Sequence, residues 1–251
     1  MSNLAPAAEA STKIITFLAE CEKEIGVSEI SRGTGINKNM VFRILNTLEN
    51  EGWVYCNAQK YSLTLLLFGL ASKPISRLSL NTAATPILYD LLNKTGESTY
   101  LGILNNDKVL YLQHLDGVKS VRVAGRVGGE YDLYCSAPGK VLLAHADNDF
   151  IEEYTSRNFD KTTKNTITEK SDILKELENI CKNGYATDKE EFGNGITCVA
   201  APIYDYTGKV IATVGCSAFT ANRKCQEIID NILPSVLAAS KEISTRLGGV
   251  K

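Results

Sequence analysis

The sequence lacks the local motifs on which metal or disulfide chemistry usually depends. Its seven cysteines are scattered and odd in number, no Cys-x-x-Cys pair occurs, and the two histidines, His114 and His145, belong to no His-x-x-x-His or His-Glu-x-x-His motif. A disulfide framework of an exported protein and a zinc site made from neighbouring ligands are therefore both disfavoured. We expect neither a metal nor a cofactor.

Long apolar segments are missing as well. The most apolar run, residues 63–71, is far shorter than the roughly 18 residues that a membrane-crossing helix needs, and no apolar stretch with a basic flank stands at the start of the sequence. The sequence thus predicts a cytoplasmic protein without membrane contact. Its 251 residues, 44% of them hydrophobic and 22% charged, suit two globular domains.

The chain has no excess of positive charge, but its positive charges are unevenly distributed. The formal net charge is −2, which gives no bulk attraction to nucleic acid. From residue 30 to residue 48, however, Arg32, Lys38 and Arg43 occur without any acidic residue. A positive surface is therefore expected in this segment alone.

Helical periodicity predicts three helices and a hairpin within residues 1–64. A short second helix spans residues 29–34 with Ser28 as its cap, Gly35 supplies a left-handed turn, and Asn37 caps the third helix. Residues 53–55 and 61–63 form two short strands around residues 56–60. This order is typical of a winged helix-turn-helix domain, although a small bundle with a solvated polar face is an alternative.

The third helix carries the chemistry of a DNA reader on its outer face. Asn and Arg side chains bond the edges of adenine and guanine, Phe contacts a thymine methyl group, and the side chains of the wing reach phosphates. We therefore assign DNA binding to eight residues: Arg32, Lys38, Asn39, Phe42, Arg43, Asn46, Gln59 and Lys60.

Residues 65–96 predict a helical linker. Residues 65–71 and 81–94 have helical apolar faces, which Pro74 and Pro86 interrupt and Gly96 ends. Because an operator with two half-sites calls for a two-fold protein, we interpret these faces as dimer contacts. The alternative is that they cover their own C-terminal domain.

Residues 97–251 predict an α+β domain with a mostly antiparallel sheet. The strands are expected at residues 98–104, 108–115, 120–124, 196–204 and 209–216, and the helices at 147–154, 171–182 and 222–247. The fold class is therefore α/β of the α+β kind, and the domains are 1–64, 65–96 and 97–251.

Two segments of the C-terminal domain have candidate binding chemistry. Residues 134–140 lead into a helix start, where free backbone N–H groups and the helix dipole favour a carboxylate. Residues 184–191 combine acids with glycines and predict a loop that folds over a pocket, with a solvated acidic turn as the alternative. Catalysis by Cys135 or Cys198, with His145 or His114 as the base, and a pure protein-interaction module stay open.

Three separated motifs occur in a fixed order: residues 35–45 with 48–54, residues 134–143, and the set Gly184-Tyr185, Asp188, Glu190-Glu191, Gly195, Cys198 to Pro202 and Gly208. On these motifs the chain resembles the IclR-type bacterial transcriptional regulators along nearly its whole length. The resemblance implies a regulator, expected to be a repressor, that binds a palindromic operator on double-stranded DNA as a homodimer or a dimer of dimers. It also implies a GAF-like domain for a small organic acid or aromatic metabolite.

The resemblance places the effector site on seven residues: Ser136, Ala137, Pro138, Asp188, Cys198, Gly215 and Ser217. Tyr134, Pro138 and Gly215 depart from residues that are usual in the family, so the ligand chemistry is expected to differ. Because Asp188 repels a ligand carboxylate unless it accepts a proton or a hydrogen bond, a hydroxy-, keto-hydrate- or amino-bearing acid is favoured.

Overall fold

The computed structural model describes residues 5–21, 23–67, 69–70, 80–221 and 223–249, and the chain forms two compact units, residues 1–77 and 78–251. The first unit contains the helices α1 (Pro6–Ala19), α2 (Val27–Thr34) and α3 (Lys38–Asn50). Its strands are β1 (Ile25–Gly26), β2 (Val54–Asn57) and β3 (Lys60–Leu63), in the antiparallel order β1-β3-β2. The predicted helix-turn-helix and wing are confirmed.

The turn between α2 and α3 follows from residues with special backbone roles. Gly35 has a φ of 72°, and the side chain of Asn37 accepts the backbone N–H of Met40 at 2.9 Å, as predicted. The predicted cap at Ser28 is wrong, because α2 begins at Val27, two residues before the predicted start. Gly26 holds the cap position, and its N–H donates to the Glu29 carboxylate at 3.0 Å.

The described residues of the second unit contain a six-stranded antiparallel sheet in the order β6-β5-β4-β9-β8-β7. The strands are β4 (Ser98–Asn105), β5 (Lys108–Leu115), β6 (Glu130–Asp132), β7 (Ala186–Lys189), β8 (Ile196–Tyr204) and β9 (Val210–Phe219). The helices are α4 (Leu80–Thr95), α5 (Ala137–Ala144), α6 (Asn148–Thr155), α7 (Lys170–Asn183) and α8 (Cys225–Arg246). The predicted α+β class is confirmed.

Each face of this sheet has its own hydrophobic core. One core unites α4 and α8 with the sheet and includes Leu88 and Leu91, whereas the other unites α5, α6 and α7 with the sheet. The apolar face of residues 81–94, which was assigned to a dimer contact, is therefore buried in its own unit. Residues 66, 67, 69 and 70 are helical, and the predicted break at Pro74 lies outside the described residues.

The predicted strand at residues 120–124 is wrong, because residues 116–129 form a loop between β5 and β6. The Ser98 hydroxyl accepts the Gly117 N–H at 2.9 Å and donates to the Val123 carbonyl at 2.7 Å. These side-chain bonds replace a strand ladder along the segment. We call residues 116–129 the cover loop.

Candidate functional site

The predicted row of polar residues on α3 faces solvent. Asn39, Arg43 and Asn46 are exposed, and Phe42 is 50% exposed although it is aromatic. The opposite side of α3 is buried, with Val41, Ile44 and Leu45 in the core of the first unit.

Several predicted DNA-binding residues surround one depression of the first unit. Lys38, Asn39, Phe42 and Gln59 line it, between the starts of α2 and α3 and the β2–β3 hairpin. Lys60 is exposed at the first position of β3, and Arg32 and Asn46 are exposed outside the depression. One concave surface thus combines hydrogen-bonding, aromatic and cationic groups.

The tip of the hairpin is shorter than the predicted five residues. Asn57 pairs with Lys60, so Ala58 and Gln59 alone make the turn, with φ values of 47° and 62°. Two successive positive φ values are typical of a type I′ turn, whose twist matches that of the flanking strands. The turn holds Gln59 at the tip of the wing.

A small cavity of about 70 Å³ lies in the second unit. Five of the seven predicted effector residues line it: Ser136, Pro138, Asp188, Cys198 and Ser217. Ala137 is fully buried in α5 and is not among the lining residues. Gly215 does not line the cavity either, since a Cβ at this position would lie 2.4 Å from the Tyr100 hydroxyl oxygen.

Sequence reasoning missed the aromatic wall of the cavity. Tyr111, His114, Tyr131 and Phe192 line it, and the rings of Tyr111 and Tyr131 are 4.3 Å apart between centroids. Burial lowers the pKa of His114 and so favours its neutral imidazole, although the neighbouring Asp116 opposes this shift. The ring residues of β5 were the available signal, but Leu112 is an extra residue of β5 opposite Leu101 and Gly102, and this bulge breaks the simple alternation of the strand.

Cover-loop residues 123–125 complete the lining, a role that the sequence had suggested for residues 184–191. A Cβ at Gly125 would lie 2.4 Å from the His114 ring, so the loop backbone rests directly on this side chain. The cavity is therefore closed by a loop that follows β5.

Asp188 lies on β7 and is fully buried, which overturns its placement in a lid loop. Its Oδ1 accepts the N–H groups of Glu191 at 2.6 Å and Phe192 at 3.3 Å. Its Oδ2 has no hydrogen-bond partner among the described residues. Burial raises the pKa of Asp188 to about 7, although the two N–H donors and Lys140 oppose the rise.

Glu191 belongs to a buried ion cluster, so the alternative of a solvated acidic turn is wrong. Lys140, which is 2% exposed, lies 2.8 Å from Glu191 Oε1 and 3.2 Å from Glu176 Oε1. Burial alone would lower the pKa of Lys140, but the two carboxylates hold it above its usual value. The hydroxyls of Thr162 and Thr166 donate to the Glu191 carbonyl at 2.9 and 2.7 Å.

The hydroxyl groups of the cavity differ in their freedom to bind a ligand. Ser136 caps α5: its hydroxyl donates to the Asp132 carbonyl at 2.6 Å and accepts the Gly139 N–H at 3.2 Å. Ser217 Oγ lies 3.2 Å from the thiol of Cys198. Pro138 offers no N–H, and neither lysine nor arginine is among the lining residues. Of the two serine hydroxyls, that of Ser217 is thus the better placed for a ligand.

A solvent-facing helix-turn-helix with a wing, joined to an α+β unit that encloses a cavity, defines a two-domain DNA-binding regulator. The chain belongs to the IclR family of bacterial transcriptional regulators. Residues 8–57 match the IclR helix-turn-helix domain, and residues 72–245 match the IclR C-terminal domain of bacterial transcriptional regulators.

The relatives of this chain are regulators of transcription and not enzymes. The regulator KdgR of Escherichia coli K12 is 33% identical over 238 residues, which cover 94% of this chain and 90% of the relative. The DNA-binding transcriptional repressor YiaJ of the same organism is 30% identical over 241 residues, which cover 94% and 85%.

Solved structures of the family share the fold. A putative IclR regulator from Silicibacter sp. TM1040 has a TM-score of 0.85 at 23% identity over 98% of this chain and 97% of its own. IclR of Thermotoga maritima has a TM-score of 0.63 at 29% identity over 96% and 98%.

The thiols that a catalytic alternative would need are unsuited to nucleophilic attack. Burial raises the pKa of Cys135 to about 12, and burial with the neighbouring Asp188 raises that of Cys198. Nucleophilic cysteines require the opposite shift. Within the described residues no helix is long and apolar enough to cross a bilayer, and no group of three potential metal ligands occurs.

Proposed function

We propose that this chain is a cytoplasmic transcriptional repressor that binds a palindromic operator as a homodimer or a dimer of dimers. A small organic acid in the 70 Å³ cavity controls its affinity for the operator. The observation that carries the effector part is Asp188 Oδ2, a buried carboxylate oxygen without a described partner on the wall of this cavity. Buried polar atoms are almost always hydrogen-bonded, so a ligand donor is the natural partner here.

The DNA-binding part is supported by the geometry of α3 and the wing. Asn39, Phe42, Arg43 and Asn46 read base edges in the major groove, whereas Lys38 and Arg32 contact the flanking backbone. Gln59 and Lys60 reach phosphates from the wing. Two relatives, YiaJ and AllR of Escherichia coli K12, are named repressors, which supports repression and not activation by this chain.

Replacing Arg43 by alanine is expected to weaken operator binding by about 1–3 kcal/mol and to relax the preference at one base position. Lys60→Ala should instead weaken all sequences alike and lower the slope of log K against log salt by about 1. Fluorescence anisotropy on duplexes from the gene's own upstream region, at several salt concentrations, measures both effects.

The matched control is Thr16→Ala, which changes an exposed residue of α1 outside both α3 and the wing. If Arg43→Ala leaves both affinity and base preference intact, α3 is not the reading helix. If the wild-type chain binds no upstream duplex, the result would favour the alternative in which the first unit binds a partner protein and not DNA.

The chemistry of the cavity defines the class of effector. A hydroxyl or amino group of the ligand donates to Asp188 Oδ2, and its carboxylate accepts the hydroxyl of Ser217. The aromatic wall packs against a short carbon skeleton, because about 70 Å³ is far below the roughly 300–1,000 Å³ of drug-sized sites. Only an effector with different affinities for the two states of the protein changes operator binding.

Calorimetry with a panel of small hydroxy-, keto- and amino-carboxylates tests this site. The variants Asp188→Ala and Ser217→Ala are each expected to weaken the binding of any hit by about tenfold or more. The exposed Ser171→Ala serves as the control. Unchanged affinity in both cavity variants would refute the assignment, since the ligand would then bind elsewhere.

A further inference from the structure

The cover loop closes the cavity at one end and is tied to the end of α4 at the other. We propose that Glu97 and Ser98 position the cover loop, so that a ligand under residues 123–125 acts on the last turn of α4. This inference rests on the proposed function, because it describes how ligand binding in the cavity would be transmitted to α4. In sequence, α4 is the helix of the second unit that lies nearest to the DNA-binding unit.

Backbone contacts fix the first part of the loop to the α4–β4 junction. The Val118 N–H donates to the Gly96 carbonyl at 3.2 Å. The hydroxyl of Ser98 makes two hydrogen bonds with the loop. It accepts the Gly117 N–H and donates to the Val123 carbonyl. A Cβ at Gly117 would lie 2.9 Å from the Ser98 backbone nitrogen, so only glycine fits at this contact without a backbone shift.

A buried carboxylate ties the same junction to two further segments. Glu97 is 2% exposed, and its Oε1 accepts from Lys119 of the cover loop. The same oxygen accepts hydrogen bonds from both terminal nitrogens of Arg223, each at 3.3 Å. Arg223 also donates to the carbonyl of Phe219, at the end of β9, at 2.7 Å. A charge in this position is retained only while its cationic partners stay in place.

Both the cavity end of the loop and the end of α4 are closely packed. Gly125 rests on the His114 ring, so a ligand that enters the cavity must press on the loop backbone or order it. Leu88 and Leu91 anchor α4 in the hydrophobic core, and the Thr95 hydroxyl lies 3.9 Å from the Cys216 thiol of β9. A packed helix transmits a shift as a unit and does not bend gradually.

Hydrogen–deuterium exchange of the full chain tests the coupling without a ligand. Glu97→Gln and Ser98→Ala are each expected to speed amide exchange about tenfold in residues 117–125 and in residues 92–96 together. Asp90→Asn is the control, because it removes the exposed Asp90–Lys94 pair on the same helix and should leave both segments unchanged. Faster exchange in the loop with no change at residues 92–96 would overturn the proposal.

Operator binding gives a second readout. The affinity of both junction variants for the upstream duplex should change by about threefold or more, whereas Asp90→Asn keeps the wild-type value. Wild-type affinity in both variants, despite faster exchange in both segments, would exclude the junction as the route to DNA. If the wild-type chain itself fails to bind the duplex, the proposed function fails, and the exchange experiment still decides the coupling.

Discussion

Replacing Lys140 by methionine is expected to lower the free energy of unfolding of the second unit by about 3–5 kcal/mol. Methionine keeps most of the volume of the side chain but leaves Glu191 buried without its cation. The loss of one partner costs far more than the net value of the ion pair, because the remaining charge cannot be hydrated. Denaturant unfolding followed by far-ultraviolet circular dichroism measures the change.

Two comparisons make this experiment specific. Lys175→Met removes an exposed lysine of α7 that pairs with Asp172, and it should change stability by less than about 0.5 kcal/mol. Trp53 is the only tryptophan of the sequence and belongs to the first unit, so its fluorescence should report an unchanged transition. A Lys140→Met protein as stable as the Lys175→Met protein would mean that Glu191 is hydrated or protonated.

At pH 8, Asp188→Asn is expected to stabilise the second unit, by at most about 4 kcal/mol. The pKa of Asp188 is about 7 in the folded chain and 3.8 for a free side chain, so the folded state binds the proton more tightly. The contribution of Asp188 to wild-type stability therefore falls as pH rises from about 4 to 7 and levels off above 7. Asparagine does not titrate, and its amide oxygen can still accept the N–H groups of Glu191 and Phe192.

Unfolding at a series of pH values from 4 to 8 measures this difference. The gap between the two proteins should widen with pH up to about 7, with little or no advantage for the variant near pH 4. Glu178→Gln, on the exposed face of α7, should follow the wild-type curve. Parallel curves for wild type and Asp188→Asn would show that Asp188 is already ionised at low pH in the folded protein.

The proposed binding of an effector is expected to depend on the same titration. A ligand hydroxyl or amino group donates to the ionised form of Asp188, so the observed affinity should decline as the pH falls below about 7. The contribution of Asp188 to the stability of the unbound protein changes in the opposite direction over this range. Ionisation of Asp188 thus lowers the stability of the folded protein and strengthens the proposed binding of the effector.

Local sequence signals were sufficient for most of the fold. The apolar stripe of α3, the left-handed Gly35 and the Asn37 cap are each decided within a few residues, and so the helix-turn-helix was predicted correctly. The strand predicted at residues 120–124 failed because the competing partner, Ser98, is distant in sequence. The apolar face of α4 was visible in the sequence, but what covers it depends on α8, more than a hundred residues away.

The candidate cavity shows the same division between local and distant information. Five lining residues came from a family resemblance, which already contains knowledge of how distant segments meet. The aromatic wall and the cover loop were missed because their contacts join β5, β6 and the residues after β7. The buried state of Asp188 and Glu191 was also hidden, since acids beside glycines have the composition of a surface turn.

The tight contact between Gly215 and Tyr100 has an evolutionary consequence. A side chain at residue 215 would meet the Tyr100 hydroxyl at 2.4 Å and the Val199 carbonyl oxygen at 2.2 Å. Shortening Tyr100 alone would not admit a side chain at residue 215, because the nearer contact is a backbone oxygen, so a larger residue there requires β8 and β9 to move apart locally. Changes to the lining of the cavity are therefore more accessible at the exposed Ala124 of the cover loop than at residue 215.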